Sequence, residues 1–151
     1  MKKFRFTLQP LFNYKQTVEK MQKAELKRAQ LALRELLDEE RRLQKAYADN
    51  ERSLERALRE NINVAAALSE HDAYFRFLRD AIKELRERIV RAEEVVVQCQ
   101  NRLITTMKEL KTYLKLRAEQ YQVYLKEVQV EEDKNMGDLV SFKAVSEEVF
   151  Q

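Results

Sequence analysis

"FRFLRDAIKELRERIVRAEEVVVQCQNRLITTMKELKTY", residues Phe75 to Tyr113, is the stretch whose spacing decides the fold. Phe75, Leu78, Ile82, Leu85, Ile89, Ala92, Val96, Cys99, Leu103, Thr106, Leu110 and Tyr113 follow one another at steps that alternate strictly between three and four. A helix turns once in about 3.6 residues, so a repeat held at 3.5 keeps one stripe turned toward one partner along a coiled-coil seam. The run Val95, Val96, Val97 has strand propensity, but the heptads on both sides override it. Beyond Tyr113 the seam falls on Arg117 and Gln120 before Tyr124 resumes it, so looser packing or a change of partner is expected there.

Working outward, the first half repeats the pattern less cleanly. Leu11, Tyr14, Val18 and Met21 start a seam, and Ala29, Leu33, Leu36, Leu43, Tyr47, Leu54 and Ala57 continue it one residue out of phase. Such a slip reads as a stutter near residues 22–29, which relaxes the supercoil locally. Glu40 and Asn50 fall in the seam, where polar residues cost stability and fix register. Composition agrees with long helices. One Gly and one Pro in 151 residues leave few places for turns, and 36% charged residues supply the solvated faces.

Boundaries come from caps. Pro10 suits the first turn of a helix, where its missing N–H costs nothing. Asn61, Asn63 and Ser69 are the only turn-forming cluster in mid-chain, and Ser69 with Asp72 fits a capping box. The expectation is a single all-α coiled-coil hairpin domain over 1–151. Helix 1 is placed at about 10–61, a turn near 62–70, helix 2 at about 70–135 and an acidic tail at 136–151. Two long helices joined by so short a loop bury their seams by folding back antiparallel, with facing residue numbers summing to roughly 132. Gly137 reads as a helix stop. After it, Leu139, Val140, Phe142, Val145 and Val149 have amphipathic spacing, consistent with a short C-terminal helix or with a frayed acidic end.

Several function classes lose their chemistry. Cys99 is the only cysteine and His71 the only histidine, so neither a disulfide nor a familiar zinc spacing can be assembled. No Gly-rich phosphate loop is present. Cys99 reads as a small buried seam residue and His71 as a solvated residue at a helix start. No enzyme, cofactor or metal is expected. No apolar run approaches the roughly 20 residues a membrane span needs, and the start lacks a small-residue cleavage site, so a cytosolic protein without direct membrane insertion is expected. The net charge of +3 divides into +5 over residues 1–60, +3 over 61–126 and −5 over 127–151. Glu35, Asp38, Glu39 and Glu40 interrupt the basic half, so no nucleic-acid partner is expected.

"HDAYFRFLRDAI", residues 71–82, crowds three aromatics into four positions. A helix advances by about 100° per residue, which places Phe75 and Ile82 together on one side of Leu78, in the seam. Tyr74, Ala81 and Phe77 fall progressively farther round on the other side, Phe77 more than a quarter turn from Leu78. They form a second stripe that one partner helix cannot also cover. Tyr74 and Phe77 either pack beneath the turn against Val64, Ala65 and Leu68 or form a docking site for another protein.

The start "MKKFRFTLQPLFNYKQTVEKMQKAEL", with Phe4, Phe6, Leu8, Leu11, Lys15 and Glu19, resembles the opening of the FliJ family. That family is the small coiled-coil component of the bacterial flagellar type III export apparatus. "YFRFL", with Tyr74, Phe77 and Leu78, looks like the family's start of helix 2, and "VEEDKNMGDL" is similar to its late Glu-rich stretch, though Gly137 stands where the family tends to have an acid. The resemblance implies a non-catalytic adaptor of flagellar protein export serving motility and chemotaxis. It would be a stalk-like rod that engages the hexameric flagellar export ATPase and links it to the cytoplasmic domain of the membrane export gate and to export chaperones. It implies a cytoplasmic protein, peripheral at the inner face of the cell membrane when bound to the apparatus. Carried over by position, Phe4, Phe6, Leu8, Leu11, Tyr121 and Tyr124 would meet the ATPase ring. Tyr47, Tyr74, Phe77, Leu78 and Ala81 would meet the gate. The alternative is a general structural scaffold or tether that oligomerises through the same seams.

Overall fold

The computed structural model describes residues 2–60 and 63–149. Two helices, α1 (Gln9–Arg59) and α2 (Val64–Val149), run antiparallel and pack as a coiled-coil hairpin; among the described residues there is no strand. The contacts gather into two units, one of residues 1–19 with 105–151 and one of residues 20–104. Each is described by itself.

Local chemistry sets the helix boundaries. The Gln9 amide donates to the Phe6 carbonyl (3.1 Å) and the Phe12 amide to the Leu8 carbonyl (2.9 Å), so α1 winds up with Pro10 in its first turn. Arg56 and Arg59 lie in the last turn, where unpaired carbonyls concentrate negative charge. Asn61 lies outside the described residues. α2 is capped by Asn63, whose side-chain oxygen accepts from the Ala66 amide (3.5 Å) and whose carbonyl accepts from the Ala67 amide (3.0 Å). The helix therefore starts six residues ahead of the expected capping box. Asn caps as well as Ser does, and "VAAAL" is a good helix former that gains hydrogen bonds by joining α2. Asp72, inside the helix, pairs instead with Arg76 at 3.1 Å.

Gly137 does not stop α2. A single Gly costs about 1 kcal/mol relative to Ala in a helix interior, too little by itself to break a long one. Residues 139–149 accordingly continue α2, and no separate short C-terminal helix forms.

In the unit of residues 20–104, the expected α2 seam is observed. Leu78, Leu85, Ile89, Val96, Cys99 and Leu103 are buried, with Phe75, Ile82 and Ala92 half-buried between them. The α1 seam follows the expected positions from Ala29 onward and differs in phase only before it. It runs Gln22, Leu26, Ala29, Leu33, Leu36, Glu40, Leu43, Tyr47, Asn50, Leu54 and Ala57, at steps of four and three without interruption, while Met21 is exposed. No stutter is needed, because Gln22 holds a seam position that an apolar reading passes over. Its side-chain oxygen is buried without a hydrogen-bond partner, a local cost of about 1–3 kcal/mol. The other polar seam residues are paired: Asn50 donates to the His71 carbonyl (3.2 Å), and Glu40 accepts from the Arg86 guanidinium (3.1 Å) and from Gln44 (3.2 Å). Tyr47 packs on Phe75 with ring centroids 4.8 Å apart.

In the unit of residues 1–19 and 105–151, Phe6, Phe12 and Leu110 form the core, with Phe4, Leu8, Tyr113 and Leu116 against it. Phe12, Lys15 and Glu19 carry the α1 seam here, with Val18 half-buried beside them as expected; Leu11 and Tyr14 are exposed. Thr106 is buried as expected. After Tyr113 the α2 seam steps to Leu116, Gln120, Tyr124 and Val128, leaving Arg117 exposed. The side chains of Thr7 and Gln120 bond each other (3.2 Å), and Lys15 forms an ion pair with Glu109.

Facing residues total between 121 (Asn50 with His71) and 128 (Phe4 with Tyr124), below the expected 132. The earlier start of α2, at Val64, accounts for the shift.

Replacing Asn63 with Ala should lower stability by about 1 kcal/mol, whereas Ser69→Ala should change it by less than about 0.5 kcal/mol, read from equilibrium urea unfolding. The hydrogen-bonded contact with Glu109 raises the Lys15 pKa above its ordinary 10.5. The charged form is thus favoured in the folded state, and its stabilisation is fully present below pH 10.5 and lost as pH rises through the raised value. Lys15→Met should flatten the fall in melting temperature above that pH.

Candidate functional site

The sequence places five residues in a turn-proximal patch, and the structure divides them among three positions. Leu78 is 1% exposed and belongs to the seam, beneath the surface. Tyr74 and Phe77 lie on one flank, their rings stacked at 6.3 Å, and Phe77 is 64% exposed. Phe77 and Ala81 line a shallow groove whose other wall is α1, through Glu39 and Leu43, with Glu84 and Arg88 farther along. Tyr47 lies on the opposite flank, in a second groove floored by Ile82 and Val90 and edged by Arg79, Lys83 and Arg86.

Packing beneath the turn does not occur among the described residues. Val64 and Leu68 are themselves exposed, as are Tyr74 and Phe77. The helical angles explain why. Ile82 and Phe75 take up the seam on one side of Leu78, so Phe77, more than a quarter turn round on the other side, only flanks Glu39 and Leu43 of α1 and stays mostly in water. Leu43 and Arg88, which complete the Phe77 groove, do not stand out in the sequence. Leu43 reads as an ordinary seam residue and Arg88 as one charge among many; only the antiparallel register brings them beside Phe77.

In the other unit the six expected residues also separate by role. Phe6 is 7% exposed and is core, with Leu8 packed against it. Phe4 meets Tyr121 edge-on at 5.1 Å and Tyr124 at 5.6 Å. Leu11 and Tyr121 are exposed, and Tyr121 shares a groove with Phe4, Leu114 and Arg117. Exposed Leu114 is a further contact candidate, visible in the sequence only as a residue just off the seam.

His71 is not a solvated helix-start residue. It is half-buried, with Nδ1 2.7 Å from the Ala67 carbonyl and Nε2 3.3 Å from the Ser53 hydroxyl. Nδ1–H can donate to the carbonyl while Nε2 accepts from serine, an arrangement that ties α2 to α1. Cys99 is buried in the seam. Among the described residues, no three His, Cys, Asp or Glu residues gather to hold a metal, and no helix is long and apolar enough to cross a membrane.

A two-helix antiparallel coiled coil with aromatic side chains turned outward defines a class of helical interaction proteins. The family model described as flagellar FliJ protein matches residues 4–148, and the chain belongs to the FliJ family of the flagellar export apparatus. Its role accordingly lies in flagellar protein export. No match was found among curated proteins or among solved structures.

Because Phe77 is mostly solvated, Phe77→Ala should change unfolding free energy by no more than about 0.5 kcal/mol. Leu78→Ala, one residue on, should cost about 2–5 kcal/mol. Urea midpoints of the two variants measured side by side check this difference.

Proposed function

We propose that the protein is a non-catalytic adaptor of flagellar export that engages the hexameric export ATPase and links it to the cytoplasmic domain of the membrane export gate and to export chaperones. The observation that carries this reading is the exposed Phe77, stacked on Tyr74 beside the Leu43 groove, in a chain whose family belongs to the export apparatus. An aromatic held in water on a helix needs little backbone ordering when a partner covers it, and its burial in a desolvated pocket is what makes it an interface anchor. In this reading Tyr74, Phe77 and Ala81 face the gate, Leu78 supports them from below, and Tyr47 contributes from the other flank. Leu11, Tyr121 and Phe4 meet the ATPase ring, with Phe6 and Leu8 holding Phe4 in place. The protein works in the cytoplasm and becomes peripheral to the membrane through the gate.

A single asymmetric coiled coil cannot make identical contacts with every subunit of a ring. It favours some subunit conformations over others, and by linkage the ring's nucleotide state then biases what the adaptor does at the gate. The competing reading is a scaffold or tether that oligomerises through its seams. The intramolecular pairing of those seams weighs against it, since they are already used.

Binding of the purified chain to an export ATPase and to a gate cytoplasmic fragment, measured separately, tests the assignment. Phe77→Ala should weaken gate binding about tenfold or more and leave ATPase binding unchanged; Leu11→Ala and Phe4→Ala should do the reverse. Equal losses on both partners, or no binding by the parent chain, would remove this function in favour of the scaffold.

A further inference from the structure

Past Val128 every described residue of α2 except Ser146 is exposed, so this last stretch has no partner within its own unit. It is nevertheless amphipathic. At about 100° per residue, Met136, Leu139, Phe142 and Val149 fall within one half of the helix circumference, Leu139 between Met136 on one side and Phe142 and Val149 on the other. All four are exposed, Phe142 at 72%. On the same wheel Tyr121 coincides with Leu139 and Tyr124 with Phe142, while Leu125 and Val128 lie close to either side of Leu139. The bare stripe is therefore the continuation of the face on which Phe4 already sits. Two charges, Glu132 and Lys143, fall within it on the Met136 side, while between Leu139 and Phe142 the only polar residues are the uncharged Asn135 and Ser146.

Two features identify what fits it. First, the base of the stripe has an occupant. Phe4 lies on Tyr121 and Tyr124, and Lys2, Lys3 and Arg5 flank it in the chain, so the segment seated there is basic with an aromatic anchor. Second, the charge along the bare part is strongly negative: residues 127–149 hold seven carboxylates and two lysines. Glu131 and Asp138 border the stripe on the Phe142 side, and Glu147 borders it on the Met136 side. A second copy of this stripe would set like charge against like, and an anionic membrane surface would do the same.

We infer that the stripe from Leu125 to Val149 is a docking surface for a basic amphipathic helix of a partner protein. The partner presents apolar or aromatic anchors to Met136, Leu139 and Phe142 and Lys or Arg to the bordering carboxylates. The N-terminal segment supplies the same chemistry at the base of the stripe, and the partner continues it. This surface is independent of whether Phe77 meets the gate or Leu11 the ATPase, and it stands or falls without them.

The test uses the full chain and a fluorescein-labelled 20-residue helix of Leu and Lys carrying one Phe, followed by anisotropy at low and high salt. The parent chain should bind it, and raising the salt should weaken binding severalfold, since close charge pairs are screened. Leu139→Ser with Phe142→Ser should weaken it about tenfold or more, as should Glu131→Lys with Asp138→Lys, and Phe77→Ser should leave it unchanged. A peptide with Glu in place of Lys should not bind. Leu139 and Phe142 touch no core residue, so circular dichroism of the double variant should match the parent's; a loss of helix calls for the milder Phe142→Ala, for which a weakening of severalfold is expected. Equal binding by parent and stripe variants overturns the inference, and so does failure of the parent to bind. Sedimentation of the parent but not the variant with phosphatidylglycerol vesicles would assign the stripe to membrane instead. A concentration-dependent dimer abolished by the variant would assign it to self-association.

Discussion

The pairing of the α1 seam with the α2 seam is the constraint on which the rest depends. Each helix is too charged and too amphipathic to persist alone at full length, and each gains its order from the apolar stripe of the other. Within the unit of residues 20–104 the stripe is Leu, Ile and Val on α2 against Leu and Ala on α1, closed by Tyr47 on Phe75. Within the other unit it becomes aromatic, with Phe6 and Phe12 against Leu110. Apolar contact of this kind sets no register by itself, because one Leu layer resembles the next. The polar pairs do that: Asn50 finds the His71 carbonyl, and Glu40 finds Arg86, only in the observed alignment. A slip of one heptad would leave a carboxylate and an amide buried without partners, a penalty larger than the gain from any single layer.

Because the seam uses only one stripe, anything apolar outside it is left in water. Phe77 and Tyr74 in one unit, and Leu11, Tyr121 and the distal α2 stripe in the other, are all products of this geometry. A hairpin of two helices has no third element to cover them. In a family that acts within a multi-protein export machine, such uncovered side chains are where its contacts are expected.

How much of this can be read from residues alone depends on whether the signal is apolar. The α2 seam is legible at every position from Phe75 to Tyr113, since each layer carries an apolar or small residue. The α1 seam is legible from Ala29 onward but displaced before it, because Lys15, Glu19 and Gln22 hold seam positions with polar heads and apolar stems, while Leu11, Tyr14 and Met21 offer a competing stripe. The cap at Asn63 is masked by the more elaborate Ser69 and Asp72 signature, which displaces the expected register by several residues. Gly137 resembles a stop mainly because the chain has no other glycine. Of the candidate contact residues, the exposed Phe77 follows directly from helical angles, whereas its separation from Tyr47 and its proximity to Leu43 and Arg88 depend on the register and cannot be read along one helix.

The alternation of steps, held on α2 as far as Tyr113, has a consequence for how such chains can change in length. Seven residues, about 10.5 Å of helix, are the smallest increment that restores both seams to phase, and they must enter α1 and α2 together at facing layers. Three or four residues added to one helix alone would shift everything beyond them out of its layer and off its azimuth, and Phe77 or the distal stripe would no longer stand where its neighbours in the same unit complete it. Relatives of different length should therefore differ by paired heptads, and the azimuth of their exposed aromatics should be more constant than their distance from the turn.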